Sequence, residues 1–171
     1  MVLVGFMGAG KTAVGRRLAR RLGYRFEDID RRIEARHGCT VAAVFEERGE
    51  AAFRALEEEE ARALRAIPGL VVATGGGAFA QPATRALLQE GALTVWLQCN
   101  LDSALRRIRP DGRRPLAGNR EIMRALLTER EPSYRQADAA VDTSRRTPRE
   151  VVDRIVELIE GHERGKTSVR P

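Results

Sequence analysis

Eight residues near the start of the chain constrain its architecture more than any others. Gly5-Phe6-Met7-Gly8-Ala9-Gly10-Lys11-Thr12 fits G-x-x-x-x-G-K-[ST], a phosphate-binding loop that requires a strand on one side and a helix N-terminus on the other. Both flanks are present. Val2, Leu3 and Val4 read as a short buried strand, and Ala13 to Leu22 reads as a helix. Glycines let backbone N–H groups turn inward around phosphate oxygens without Cβ clashes. The helix N-terminus adds unpaired donors and a favourable dipole. Lys11 supplies a point charge for the β- and γ-phosphates, and the Thr12 hydroxyl suits Mg²⁺. The chain contains only two lysines, Lys11 and Lys166, among 30 Lys+Arg. It uses arginine nearly everywhere else, yet places a compact ammonium inside the motif, where a planar guanidinium is not equivalent. The motif implies a nucleoside triphosphate.

Apolar runs alternate with helical patterns downstream. Strands are expected at Val2–Val4, Tyr24–Glu27, Leu70–Ala73, Leu93–Leu97 and, more weakly, Ala139–Val141. That alternation argues for a parallel sheet covered by helices on both faces. A long helical stretch runs from Phe45 to Ala66, anchored by Phe53, Leu56 and Leu64, with most of its acidic run Glu57–Glu60 expected on a solvated face. The final helix is expected from Pro148, with Thr147 as N-cap and Val151, Val152, Ile155, Leu158 and Ile159 as its buried stripe. Residues 1–160 are expected to form one domain, followed by a polar, aperiodic and disordered tail over 161–171.

At 171 residues, with 43% hydrophobic and 32% charged positions, the chain can bury a proper core. No apolar run approaches the roughly 20 residues that span a bilayer, and the first strand begins at once, leaving no room for a signal peptide. Cys39 and Cys99 fit no metal or redox spacing and suit a reducing compartment, so a cytoplasmic location is expected. The formal charge is +6, with a sequence pI near 10.3. It fits either nucleic acid or arginines gathered around a triphosphate and an anionic substrate. Aromatics are only 5%, and no aromatic–basic interleaving or nucleic-acid module is visible.

Three further segments bear on the chemistry. Phe26-Glu27-Asp28-Ile29-Asp30 places two carboxylates at the C-terminal end of the second strand, where open α/β sheets collect their ligands. One can hold Mg²⁺ through water while the other reaches an acceptor hydroxyl; the alternative is that Asp30 caps a helix starting at Arg31. Thr74-Gly75-Gly76-Gly77 follows the third strand, and there the backbone can approach a ligand closely or simply make a tight turn. Residues 109–118, with two prolines, two glycines and three arginines, read as a lid carrying arginines to a polyphosphate, or else as an exposed connection.

In order and spacing, these residues resemble the shikimate kinase family along almost the whole chain. The phosphate loop continues into Val14-Gly15-Arg16-Arg17-Leu18-Ala19. Asp28-Ile29-Asp30 stands for the family's Asp-x-Asp, and Gly49-Glu50-Ala51-Ala52-Phe53-Arg54 with Glu57 for its Gly-Glu-x-x-Phe-Arg-x-x-Glu. Gly75-Gly76-Gly77, Arg114-Pro115-Leu116 and Arg130-Glu131-Pro132-Ser133-Tyr134 follow. The resemblance implies an α/β, three-layer P-loop kinase fold: a five-stranded parallel sheet flanked by helices, with a mobile lid. It implies ATP-dependent phosphorylation of the shikimate 3-hydroxyl, with ATP and shikimate as small-molecule partners, Mg²⁺ as cofactor, no nucleic acid, no membrane and a monomer.

Matching positions carry the implied roles. Lys11, Asp30 and Arg114 would be catalytic. Gly8, Ala9, Gly10, Lys11, Thr12 and Ala13 would cradle the phosphates, with Thr12 on Mg²⁺ and Asp28 beside it. Arg107, Arg146 and Pro148 would flank the adenine, and Arg114 would swing in with the lid. Asp30, Arg54, Glu57, Gly75, Gly76, Gly77 and Arg130 would form the shikimate site, with Arg54 and Arg130 gripping the carboxylate and Glu57 orienting Arg54. Two departures stand out: Ala13 replaces a second hydroxyl residue, and Arg113 lies beside Arg114, leaving open which reaches the γ-phosphate. The nearest alternative is another small phosphate-loop kinase of the gluconate or nucleoside monophosphate type. A nucleotide-dependent, nucleic-acid-binding regulator is the alternative from another class.

Overall fold

The computed structural model describes residues 1–65, 67–108 and 119–167, with side chains described as far as residue 161. The lid expected at about 109–118, with Arg113 and Arg114, lies outside the described residues. The five strands are β1 (Val2–Val4), β2 (Arg25–Asp28), β3 (Leu70–Ala73), β4 (Thr94–Gln98) and β5 (Ala139–Asp142). They form one parallel sheet in the order β2-β3-β1-β4-β5. β1 and β3 are buried at every position, as expected for central strands of a sheet covered on both faces. β2 and β4 begin one residue later than the apolar runs suggested, within the usual ambiguity of strand ends.

The helices are α1 (Lys11–Leu22), α2 (Ile29–His37), α3 (Val41–Leu64), α4 (Pro82–Gln89), α5 (Leu101–Arg107), α6 (Arg120–Tyr134) and α7 (Pro148–Thr167). The β1-to-β2 crossover runs toward one edge of the sheet, whereas the later crossovers run toward the other. Right-handed connections therefore put α1 on one face and α3, α4 and α6 on the opposite face. α7 returns to pack beside α1. The chain changes direction between β1 and β3, and the crevice outside their carboxyl ends is where such sheets bind ligands.

Two elements depart from the sequence pattern. α3 starts at Val41 and is broken at Gly49, whose φ of 78° and ψ of 172° are not helical. Thr40 caps its start by accepting the Ala43 N–H at 3.2 Å. α7 continues to Thr167, beyond Glu160, where a disordered tail was expected to begin. Its apolar stripe ends at Ile159, and the residues after it include glutamate, arginine and lysine, which favour helix by propensity. Its start matches expectation: Thr147 and Glu150 bond reciprocally, Thr147 N–H to the Glu150 carboxylate at 2.7 Å and Glu150 N–H to the Thr147 hydroxyl at 3.3 Å.

Candidate active site

The phosphate loop leaves β1 and enters α1 through Gly8 and Gly10, at φ 81° and 95°. A Cβ on Gly8 would also come within 2.6 Å of the Ala104 carbonyl oxygen, so both conformation and space require glycine there. No side chain caps α1 at Gly10, so its first N–H groups face the loop as an anion site. Ala9 is held from behind, its carbonyl accepting the Thr143 hydroxyl at 3.2 Å. Lys11 folds over the loop and donates from Nζ to the carbonyls of Gly5 and Phe6, at 2.6 and 3.0 Å.

The two carboxylates of the Asp-x-Asp segment divide their work. Asp28 Oδ2 accepts the Thr12 hydroxyl at 2.7 Å, and its Oδ1 accepts the Arg31 N–H at 3.5 Å to cap α2. The cap is therefore Asp28 and the helix starts at Ile29, which corrects the alternative that Asp30 caps a helix from Arg31. The strand stops at Asp28, so Asp30 reaches the crevice from the first turn of α2 rather than by strand alternation.

Asp30, Glu57 and Gly75 converge. A Cβ on Gly75 would lie 2.8 Å from Asp30 Oδ1 and 2.3 Å from Glu57 Oε1. Glu57 is fully buried. Its Oε2 accepts from Arg54 at 2.5 Å, while its Oε1 has no hydrogen-bond partner among the described residues. Burial pushes the Glu57 carboxyl up to about 7 against the pull of the Arg54 charge, and the Asp30 charge pushes the same way as burial. Arg54 also binds Glu50 at 2.8 Å, and a Cβ on Gly77 would meet its Nη2 at 2.5 Å. The rings of Phe45 and Phe53, 4.6 Å apart across the break at Gly49, flank this guanidinium at 5.9 and 5.5 Å. Arg130 approaches from α6, its Nη1 3.7 Å from the Cβ position of Gly76.

The acidic run is not mainly solvated, as the sequence pattern suggested. Glu57 and Glu60 are both buried, three residues apart on one face of α3. Glu60 is paired with Arg32 at 2.6 Å and Arg36 at 3.2 Å, which ties α2 to α3.

Arg107, Arg146 and Pro148 gather around the turn from β5 to α7. Arg107 donates to the Thr143 carbonyl at 2.5 Å and the Ser144 carbonyl at 3.4 Å. Arg146 donates to the Asp142 carbonyl at 2.6 Å. The Cys99 thiol lies 3.6 Å from Arg107, and burial pushes it up. Two contributors had no role assigned from the sequence, although Tyr134 stands in the quoted Arg130–Tyr134 segment. Thr143 links the phosphate loop to the turn that holds Arg107, and a lone threonine after a weak strand gave no signal. Tyr134 donates from its hydroxyl to the Gly76 carbonyl, and its position four residues after Arg130 on one helix could have pointed to it.

A cradle for a phosphoryl donor thus faces an acceptor pocket of paired acids and arginines across the switch point. That arrangement defines a small-molecule kinase of the phosphate-loop class. The shikimate kinase family model matches residues 7–160, and the chain belongs to the shikimate kinase family. The shikimate kinase of Geobacter sulfurreducens is 45% identical over 95% of this chain and 92% of its own length. The Acinetobacter baumannii shikimate kinase, solved in complex with shikimate, superposes with a TM-score of 0.90 at 38% identity, over 94% of this chain and 92% of that one. A Sinorhizobium meliloti gluconokinase shares the fold alone, with a TM-score of 0.60 at 19% identity over 99% and 96% of the two chains. The activity is transfer of a phosphoryl group from ATP to the 3-hydroxyl of shikimate, giving 3-phosphoshikimate and ADP on the route to aromatic amino acids.

Proposed function

We propose that the residues gathered at the switch point carry this reaction in the following roles. The backbone of Gly8 to Ala13 cradles the phosphates, and Lys11 turns from the loop carbonyls toward the β- and γ-phosphates when ATP enters. Asp30 orients the attacking 3-hydroxyl and accepts its proton. Arg54 and Arg130 hold the substrate carboxylate, for which a guanidinium offers two parallel donors. Glu57 orients Arg54, and Gly75, Gly76 and Gly77 let the ring approach the backbone. Arg107, Arg146 and Pro148 flank the adenine, and Arg114 brings positive charge to the γ-phosphate. Positioning and charge neutralisation account for most of the catalysis, because phosphoryl transfer asks little covalent work of the protein.

Thr12 and Asp28 fit a magnesium ion. Their hydroxyl–carboxylate pair, 2.7 Å apart, supplies hard oxygen donors beside the phosphate cradle. Among the described residues no group of three His, Cys, Asp or Glu gathers to hold a metal. That sparse set suits Mg²⁺, which keeps several waters and takes phosphate oxygens as ligands. When bound, Mg²⁺ neutralises charge on the β- and γ-phosphates.

We also place the enzyme in the cytoplasm as a monomer without nucleic-acid or membrane partners. In support, no helix among the described residues is long and apolar enough to cross a membrane, and both cysteines are free.

The observation that carries the acceptor assignment is the convergence of Asp30 and Glu57 on Gly75, with Arg54 against Gly77. ADP release from Mg²⁺·ATP, measured with shikimate, gluconate and AMP in parallel, tests it. Turnover that depends on shikimate, with little for the others, is expected; preference for another acceptor would reassign Arg54 and Arg130.

A further inference from the structure

Tyr134 is fully buried on α6, and the reaction as derived so far gives it no part. Its hydroxyl donates to the carbonyl of Gly76, the middle residue of the glycine triplet. The Arg130 guanidinium lies near enough for its positive charge to act on the same hydroxyl. Arg130 in turn reaches to 3.7 Å from the Cβ position of Gly76. On its other side the Tyr134 ring lies 6.0 Å from the ring of Trp96, tilted by 32°. Trp96 sits on β4 behind the phosphate loop, its Cδ1 3.3 Å from the Cβ position of Gly5. One side chain therefore joins the glycine turn, which Arg130 also approaches, to the ring that backs the donor site.

We infer that Tyr134 is a positioning residue for the acceptor: it locks the Gly76 peptide beside the Arg130 guanidinium and registers the glycine turn against the phosphate loop. A planar trans peptide points its C=O and the following N–H in opposite directions. Drawing the Gly76 carbonyl toward α6 therefore fixes the direction of the Gly77 N–H as well. A kinase of this kind needs the acceptor oxygen aligned with the γ-phosphate, and small misplacements lower the rate steeply. The inference rests on the assignment of Arg130 and the triplet to the acceptor pocket.

Tyr134→Phe keeps the ring and its packing, so the fold is retained and only the hydroxyl is lost. A core tyrosine with no further role and a positioning tyrosine both lose some thermal stability, because the Gly76 carbonyl is left unsatisfied. They differ in kinetics. Loss of the hydrogen bond is expected to raise the shikimate KM roughly tenfold and lower kcat several-fold, with the ATP KM within about twofold of the unaltered chain. Trp96 is the only tryptophan, so its fluorescence gives an independent reading: the shikimate titration should shift by the same factor and the nucleotide titration should not. An unchanged shikimate KM alongside a lowered melting temperature would overturn the inference, as would equal increases in both KM values. The unaltered chain is assayed in parallel. Absence of shikimate-dependent turnover there would overturn the acceptor assignment and the inference with it, a failure distinct from the other two.

Discussion

A carboxyl group with no solvent exposure and a single arginine on one of its oxygens resists ionisation, and Glu57 is such a group. Its folded-state value of about 7 lies above the 4.5 of a free glutamate. The folded chain therefore keeps a proton that the unfolded chain loses between those two values. The stabilisation from the neutral form is complete below pH 4.5, declines as pH rises, and is lost above about 7, a penalty on the order of 3 kcal/mol. Glu57→Gln carries no such proton. Its melting temperature relative to the unaltered chain should therefore rise by roughly 5–10 °C between pH 4.5 and 8.5, and a difference flat across that range would show that Glu57 does not titrate there. The neighbouring carboxylate has the opposite task. Asp30→Asn removes the acceptor for the hydroxyl proton, so kcat is expected to fall at least about a hundredfold while ATP affinity is unchanged. Near-normal turnover would remove Asp30 from the chemistry. The resemblance to the family singled out Asp30, Arg54 and Arg130 in the sequence. It did not reveal that Glu57 and Glu60 are buried, because an unbroken run of four glutamates hides which of them face inward.

At the level of elements, the central strands were the clearest features, since a strand covered on both faces must be apolar throughout. The break in α3 was invisible. The residues on either side of Gly49 both carry helical spacing, and a single glycine inside a helical pattern is ordinarily tolerated. Yet the break shapes the surroundings of Arg54. It turns Val41–Arg48 so that Phe45 meets Phe53 at 4.6 Å and both rings flank Arg54. Nothing lies within 4 Å of a Cβ placed on Gly49, so a side chain there would meet no neighbour, and only the backbone would object. At φ 78° and ψ 172° that objection is substantial, about 1–3 kcal/mol for a non-glycine residue. Gly49→Ala should lower unfolding stability by that amount in urea, and the displaced aromatic pair should raise the shikimate KM with the ATP KM unchanged. A destabilised variant with an unaltered shikimate KM would separate the bend from the pocket.

For the whole molecule, the net charge of +6 was the observation the sequence could not interpret. Its distribution narrows the choice. On the acceptor side, Arg32 and Arg36 are paired with Glu60, Arg54 with Glu50 and Glu57, and Arg62 with Glu58. Near the lid's expected end Arg120 meets Asp102 at 2.6 Å, and at the C-terminal end of α6 Arg135 meets Glu131 at 2.7 Å. Charges compensated at these distances contribute little to the field felt by a polyanion one Debye length away. A dense exposed group remains on α1, where Arg16, Arg17, Arg20 and Arg21 follow the phosphate loop. Arg17 and Arg20 bond to carbonyls of their own helix at 3.4 Å, and Arg16 lies over the Phe26 ring at 5.8 Å. Four arginines on one helix can attract a phosphate backbone at low salt, but releasing so few counterions leaves little affinity once salt is raised. Fluorescence anisotropy with a labelled 20-base-pair duplex is therefore expected to show salt-steep binding at 20 mM and a Kd weaker than about 100 μM at 150 mM. Micromolar binding at 150 mM, abolished by replacing Arg16, Arg17, Arg20 and Arg21 with glutamine, would mean that this basic surface serves a nucleic-acid partner in addition to the kinase site.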